Sequence, residues 1–204
     1  MKKILILLLA VWMMAGCNQV KKEHSNQDGP CDVEVPCQEF DYRLKDVEQV
    51  YADMSAYKDF DAQQHVFVEI SLERAIAVFK QKESAFLYFG FPKCPWCVDA
   101  LPILNQVALD HKVEVIYYID MRKEDNMKEE LKNEIVEIMK EDLWLDKETN
   151  KPRLYVPDVA VVKDGVLVKN HVATVEGHNA KERKMNEEET KELYRIYEEM
   201  LTLK

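Results

Sequence analysis

Positive charge is scarce in this chain. Its 204 residues carry 28 lysines and arginines against 38 aspartates and glutamates, a formal net charge of −10. That balance excludes electrostatic capture of nucleic acid or of anionic lipid headgroups. Long apolar runs are missing too. The stretch from Ile4 to Met14 is too short to cross a bilayer comfortably. A single Cys-x-x-Cys occurs, at Cys94 and Cys97, with no second one and no suitable histidine cluster nearby in sequence. Half a ligand set does not make a zinc site. No internal repeat is present, which sets aside repeat architectures. The length suits one domain plus accessory segments.

The N-terminus has the form of a signal peptide. Lys2-Lys3 is a basic start, the apolar run follows, and Met14-Ala15-Gly16-Cys17 ends it with small residues before a cysteine. Residues 1–16 are therefore expected to be removed. The ending resembles a bacterial lipobox, with Met14 where leucine is commoner. The resemblance implies that Cys17 carries lipid (palmitate and related acyl chains) and becomes the new N-terminus. Ordinary secretory cleavage near the same place is the alternative. Lipidation puts the protein on the extracytoplasmic face of the cell membrane, held by acyl chains and not by a basic patch.

Residues 17–41 read as a tether, polar from Asn18 to Pro30. An extracytoplasmic address permits stable disulfides. Cys31 and Cys37 can close a small loop worth roughly 2 kcal/mol. A structural disulfide is the preferred reading. Two free thiols and a second redox pair remain as alternatives.

Hydrophobic spacing then marks the elements. Leu44, Val47, Val50, Tyr51, Met54 and Tyr57 recur at helical intervals, so an N-terminal helix extension is expected over 42–61, its helix at about 42–58. Val66 to Ile70 reads as a strand. Ser71 caps a helix with Leu72, Ala75, Ile76 and Phe79 on one face. Ala85 to Phe91 is apolar on both faces, as a covered central strand requires. A helix follows from about residue 95, with Pro102 inside it. Val113 to Ile119 is the next strand, and Met127, Leu131, Ile135, Ile138 and Met139 predict an acidic amphipathic helix over about 124–143. Val159 to Val162 and Val166 to Val168 flank the turn Lys163-Asp164-Gly165. Asn186 caps a last helix with Leu193, Ile196, Tyr197, Met200 and Leu201. From residue 66 the order is β-α-β-α-β-α-β-β-α, which predicts a mixed sheet with helices on both faces.

The Cys-x-x-Cys lies between the strand ending at Phe91 and the helix that follows. A cysteine at a helix N-terminus has its thiolate stabilised by unpaired backbone N–H groups and the helix dipole. Two intervening residues let a small ring close and open without moving the scaffold. The chemistry predicted is thiol–disulfide exchange.

This order, with the motif opening the second helix, resembles the thioredoxin-like superfamily over about residues 62–204. Three further marks agree: Pro102 five residues after Cys97, Val156-Pro157 before a strand, and the Lys163-Asp164-Gly165 turn. The resemblance implies an α/β three-layer sandwich. It implies that Cys94 is the attacking nucleophile and Cys97 the resolving thiol. It also implies that the Val156-Pro157 bond is cis, and that Val156, Pro157 and Trp96 meet the substrate. No metal and no organic cofactor are implied, and the substrates are cysteines of other proteins, with a redox partner to recycle the pair. The lipoprotein-like start and acidic helix are similar to thioredoxin-like proteins associated with bacteriocin export in Gram-positive bacteria. Two departures stand out. Tyr88 occupies the place of a buried aspartate that helps deprotonate the second cysteine, which leaves the proton acceptor for Cys97 open. The dipeptide is Pro95-Trp96, which adds no positive charge, so a less oxidising pair than the strongest oxidases is expected.

Other residues carry weaker expectations. Asp158 either lies near the sulfurs and opposes the thiolate or is a solvated loop carboxylate. Lys93 reads as a surface lysine and Trp144 as an anchor at a helix end. His178 sits in a polar connector, and His65, His111 and His171 need no role. Two rival functions remain: an accessory lipoprotein that binds or chaperones an exported peptide, and a copper chaperone holding Cu(I) between the two sulfurs.

Overall fold

The computed structural model describes residues 41–203. The elements are β1 (Phe67–Glu69), α1 (Leu72–Lys80), β2 (Ala85–Gly90), α2 (Pro95–Asp110), β3 (Ile116–Asp120), a 3-10 turn (Glu124–Met127), α3 (Glu129–Met139), β4 (Asp158–Lys163), β5 (Val166–Val172) and α4 (Glu187–Leu201). The strands lie in the order β1-β3-β2-β4-β5. β3 pairs in parallel with both β1 and β2, while β4 runs antiparallel to β2 and β5. This is the thioredoxin-like three-layer α/β sandwich with a mixed sheet.

Alternation along the strands sorts two cores. Phe86 and Tyr88 of β2, Tyr118 of β3 and Val159 and Val161 of β4 face α2 and α4. Ala85, Leu87 and Phe89, with Tyr117, Ile119, Ala160 and Val162, face α1 and α3. A strand walled on both sides must be apolar throughout, and every residue of β2 is buried. Helix boundaries follow local chemistry. The Ser71 hydroxyl accepts from the Arg74 N–H at 3.1 Å, and Asn186 and Glu189 form a reciprocal capping box at the start of α4. The β4–β5 turn holds Asp164 and Gly165 at φ of 52° and 76°, the left-handed pair that a tight hairpin needs. A Cβ on Gly165 would sit 2.5 Å from the Phe79 carbonyl oxygen, so glycine is required there on two counts.

Two expectations are corrected. Residues 42–61 form no helix. They make an irregular strap with turns and one bridge, Tyr51 to Val68. The apolar spacing imitated a helix, but Val50 and Tyr51 are each 62% exposed, while Leu44, Ala52, Met54 and Tyr57 are buried. What fixes the strap is the free edge of β1. The Ala52 N–H donates to the Phe67 carbonyl at 2.9 Å, which covers an edge that would otherwise invite pairing with another chain. Nor is the helix over 124–143 continuous. Asn126 turns inward, accepting from the Leu72 N–H at 2.7 Å and donating to the Asp120 carbonyl at 2.8 Å. That suture between the end of β3 and the start of α1 breaks the segment into a 3-10 turn and the shorter α3.

Candidate functional site

Cys94 is the N-cap of α2, with Pro95 at the first helical position. Proline suits that place because its missing N–H has no partner there in any case. The Cys94 sulfur accepts from the Cys97 N–H at 3.4 Å and lies 3.6 Å from the Val156 carbonyl oxygen. Both cysteines are free thiols. Cys94 keeps 5% of its surface exposed and Cys97 none.

Their proton affinities are driven apart. Cys94 falls to about 7. The leading cause is hydrogen bonding from the Cys97 thiol, which outweighs desolvation; the Cys97 and Trp96 N–H groups and the Arg122 charge add to it. Cys97 is pushed far up, chiefly by desolvation and then by its donation to Cys94 and the Cys94 charge. At neutral pH the outer sulfur is substantially thiolate and the inner one is a thiol that supports it.

The Val156-Pro157 bond is cis, and it presents the Val156 carbonyl to the Cys94 sulfur. Trp96 is half-buried against the α2–α4 core, and the Lys181 ammonium lies 5.7 Å from its ring centroid. Lys181 belongs to the connector between β5 and α4, which is pinned to the start of α2. Asp99 takes a 2.7 Å ion pair from Lys184. His178 is buried, with Nε2 donating to the Arg183 carbonyl at 3.0 Å and lying 3.6 Å from Asp99 Oδ2, and Nδ1 hydrogen-bonded with the Thr174 hydroxyl at 2.7 Å. His178 therefore holds the connector in shape beside the site and does not reach the sulfurs.

Asp158 is neither beside the thiols nor in a solvated loop. It is fully buried and pairs with Phe89 across the sheet, so it points to the α1–α3 side. Desolvation pushes its carboxyl up to about 8, against a single hydrogen bond from Asn170, so near neutrality it is mostly uncharged. Lys93 is exposed. Trp144 is no anchor: it is 55% exposed, its ring centroid 6.4 Å from that of Tyr155. Cys17, Cys31 and Cys37 lie outside the described residues.

Tyr88 apart, which the resemblance set in the place of a buried aspartate, two sets of residues were not legible in the sequence as site components. Arg122, just past β3, places its guanidinium 4.8 Å from the Phe91 ring centroid and acts on Cys94 by charge. Beneath Cys97 four tyrosines gather: Tyr57 from the strap, Tyr88 from β2, Tyr118 from β3 and Tyr197 from α4. The Tyr57 and Tyr118 hydroxyls are 3.3 Å apart. No local pattern announces a cluster drawn from four elements. A groove of about 610 Å³ at the opposite end of the sheet, lined by Tyr51, Gln64, His65, Lys112 and Glu114 among others, is remote from the sulfurs.

No family model matches this chain, and no curated protein matches it. Solved structures do. A proposed oxidoreductase with a thioredoxin fold is 16% identical, with 53% of this chain and 83% of that one covered and a TM-score of 0.38. Oxidised thioredoxin O2 from Arabidopsis thaliana is 16% identical over 58% of this chain and 88% of its own, with a TM-score of 0.35. A thioredoxin from Plasmodium falciparum is 17% identical over 65% and 98%, with a TM-score of 0.35. The fold assignment rests on strand order and connection, not on these scores.

Proposed function

We propose that this chain is an extracytoplasmic protein thiol–disulfide oxidoreductase, anchored through lipid on Cys17. The observation that carries the redox reading is the placing of the two thiols: Cys94 caps a helix and accepts the Cys97 N–H, and Cys97 lies wholly buried one turn deeper. The Cys94 thiolate attacks a sulfur of a substrate disulfide. That S–S bond breaks, and its electron pair leaves on the substrate thiolate. Cys97 then loses its proton, attacks Cys94 and releases the second substrate thiol, leaving the pair oxidised. Run backwards, the same steps oxidise a dithiol substrate. The Val156 carbonyl lies against Cys94, and an extended substrate segment would pair with the Val156 backbone as an added strand does, beside the Trp96 ring. No metal or organic cofactor enters these steps. The lipobox-like start favours exported cysteine-containing polypeptides as substrates.

Cys97→Ser should accumulate mixed disulfides through Cys94, visible on non-reducing gels, whereas Cys94→Ser should accumulate none. Equal trapping by the two variants would overturn the assignment, and unchanged biological activity of Cys94→Ser would point to a binding module instead. A potential between about −270 and −180 mV is expected from glutathione equilibration. Cys17→Ala should release the protein from the membrane fraction.

A further inference from the structure

The tyrosine cluster beneath Cys97 contains two polar atoms that ordinary packing does not explain. The Tyr88 and Tyr197 hydroxyls are buried without a hydrogen-bond partner in the dithiol form. Buried hydroxyls in native proteins are almost always satisfied, and each exception calls for an explanation, a redox or catalytic role among them. Every other buried tyrosine hydroxyl of the described core has a partner: Tyr117 accepts from the Leu44 N–H at 2.7 Å, and Tyr57 and Tyr118 meet each other.

The geometry says where these two point. A Cβ on Gly90 would lie 2.8 Å from both the Tyr88 hydroxyl oxygen and its ζ carbon. The phenol therefore folds along its own strand toward the end of β2, from which the chain enters α2. Cys97 reaches the same place from above, fully buried in the first turn of α2, whose N-cap, Cys94, lies three residues past Phe91. Tyr88 is an unpartnered donor in the same buried cluster as Cys97, and Tyr197, which comes across from α4, is a second. A neutral thiol is a poor acceptor, so neither hydroxyl has a well-formed hydrogen bond in the resting state, although the Tyr57 hydroxyl stands beside that of Tyr88. A thiolate is a strong one. Asp158 cannot serve instead, since it lies on the other side of the sheet. Lys184 cannot either, since it is committed to Asp99.

Resting on the oxidoreductase reading above, we propose that Tyr88 and Tyr197 form a preorganised cradle for the Cys97 thiolate, donating their O–H groups to the sulfur during the resolving step. Neither tyrosine takes the proton. It passes to solvent or to the departing thiolate as the Cys97 sulfur bonds to Cys94. The bond between Cys94 and its partner breaks, and the electron pair leaves with the partner. The cradle works as donors aimed at developing charge do elsewhere, in a buried site and with no reorganisation needed at the moment of reaction.

The test uses the full chain in detergent, with Cys17, Cys31 and Cys37 replaced by serine, and 5,5′-dithiobis(2-nitrobenzoate) as probe. Release of the first thionitrobenzoate reports attack by Cys94; release of the second reports attack by Cys97 on the mixed disulfide. In Tyr88→Phe the first phase should match the parent. The second should slow about tenfold at pH 7, the least expected for losing a charge-assisted hydrogen bond, with its pH midpoint displaced upward by about one unit. Tyr197→Phe should show the same pattern more weakly, and it carries the test if Tyr88→Phe does not fold. A second phase unaltered across the pH range in both variants overturns the cradle, as does equal slowing of both phases. Absence of a second phase in the parent would instead sink the oxidoreductase reading.

Discussion

The two sides of the sheet treat the same side chain differently. On the side covered by α1 and α3, Tyr117 spends its hydroxyl on structure by accepting the Leu44 N–H of the strap. On the side covered by α2 and α4, Tyr88 and Tyr197 are just as deeply buried and spend theirs on nothing in the dithiol form. The structural side also holds Asp158, the most deeply buried carboxyl among the described residues, which burial keeps protonated and which has no cation beside it. On the chemical side the buried carboxylate, Asp99, is paired with Lys184 and stands beside His178. The site that must host a transient negative charge on sulfur thus has its carboxylate neutralised by a lysine, with the unpaired carboxyl kept behind the sheet.

Five substitutions would break or sharpen this contrast, the largest effect first. Cys94→Ser should reduce disulfide exchange to background, measured by turnover of a small disulfide, while leaving the fold intact, because serine is among the best N-cap residues.

Next in size is the pH dependence of stability carried by Asp158. Its carboxyl ionises near 3.9 when unfolded and near 8 when folded. The native state therefore holds the extra proton between those values, and stability falls as pH rises through that window. Its contribution is fully present below about pH 4 and lost by about pH 8, with a slope of at most about 1.4 kcal/mol per pH unit. His65 and His171, lowered chiefly by desolvation, slope the opposite way, so the difference between wild type and Asp158→Asn isolates the carboxyl. Urea midpoints from pH 4 to 8 should converge at the acid end and separate toward pH 8, with the variant the more stable. Parallel curves would show that Asp158 is ionised as it stands.

Smaller effects test the tyrosines directly. Tyr117→Phe strands the Leu44 N–H and should cost about 1–3 kcal/mol. Tyr88→Phe removes a hydroxyl with no partner to strand and should be neutral or slightly stabilising. Equal losses for the two by chemical denaturation would erase the distinction between the sides. Smallest of all, Arg122→Gln should raise the Cys94 pKa by about a few tenths of a unit, read from thiolate absorbance, and added salt should mimic it because the guanidinium is exposed.

What was legible in the sequence follows the range of each signal. The thiol motif, the Ser71 and Asn186 caps, the hairpin turn and the two-sided apolar strand are local, and all appear where their residues predict them. The strap misled because its apolar spacing matched a helix, while the edge of β1 offered hydrogen bonds that a helix would have left unmade. The long acidic helix failed at Asn126, whose partners Leu72 and Asp120 lie on other elements. The site divides in the same way. Cys94, Cys97 and the cis bond at Pro157 were readable from motif and resemblance. Arg122, Tyr57, Tyr118 and Tyr197 become neighbours of the sulfurs only through tertiary packing.

Gly90 has a consequence for how such a chain can change over generations. The phenol of Tyr88 occupies the space in which any other residue at position 90 would carry its first side-chain atom. The two positions therefore vary as a unit. A side chain gained at 90 is damaging unless 88 has already shrunk, and a smaller residue at 88 relaxes the demand for glycine. In a set of diverged copies the tyrosine and the glycine should be inherited together or lost together. A lineage holding alanine at 90 should have already replaced the tyrosine, and with it whatever that hydroxyl contributed to the inner sulfur.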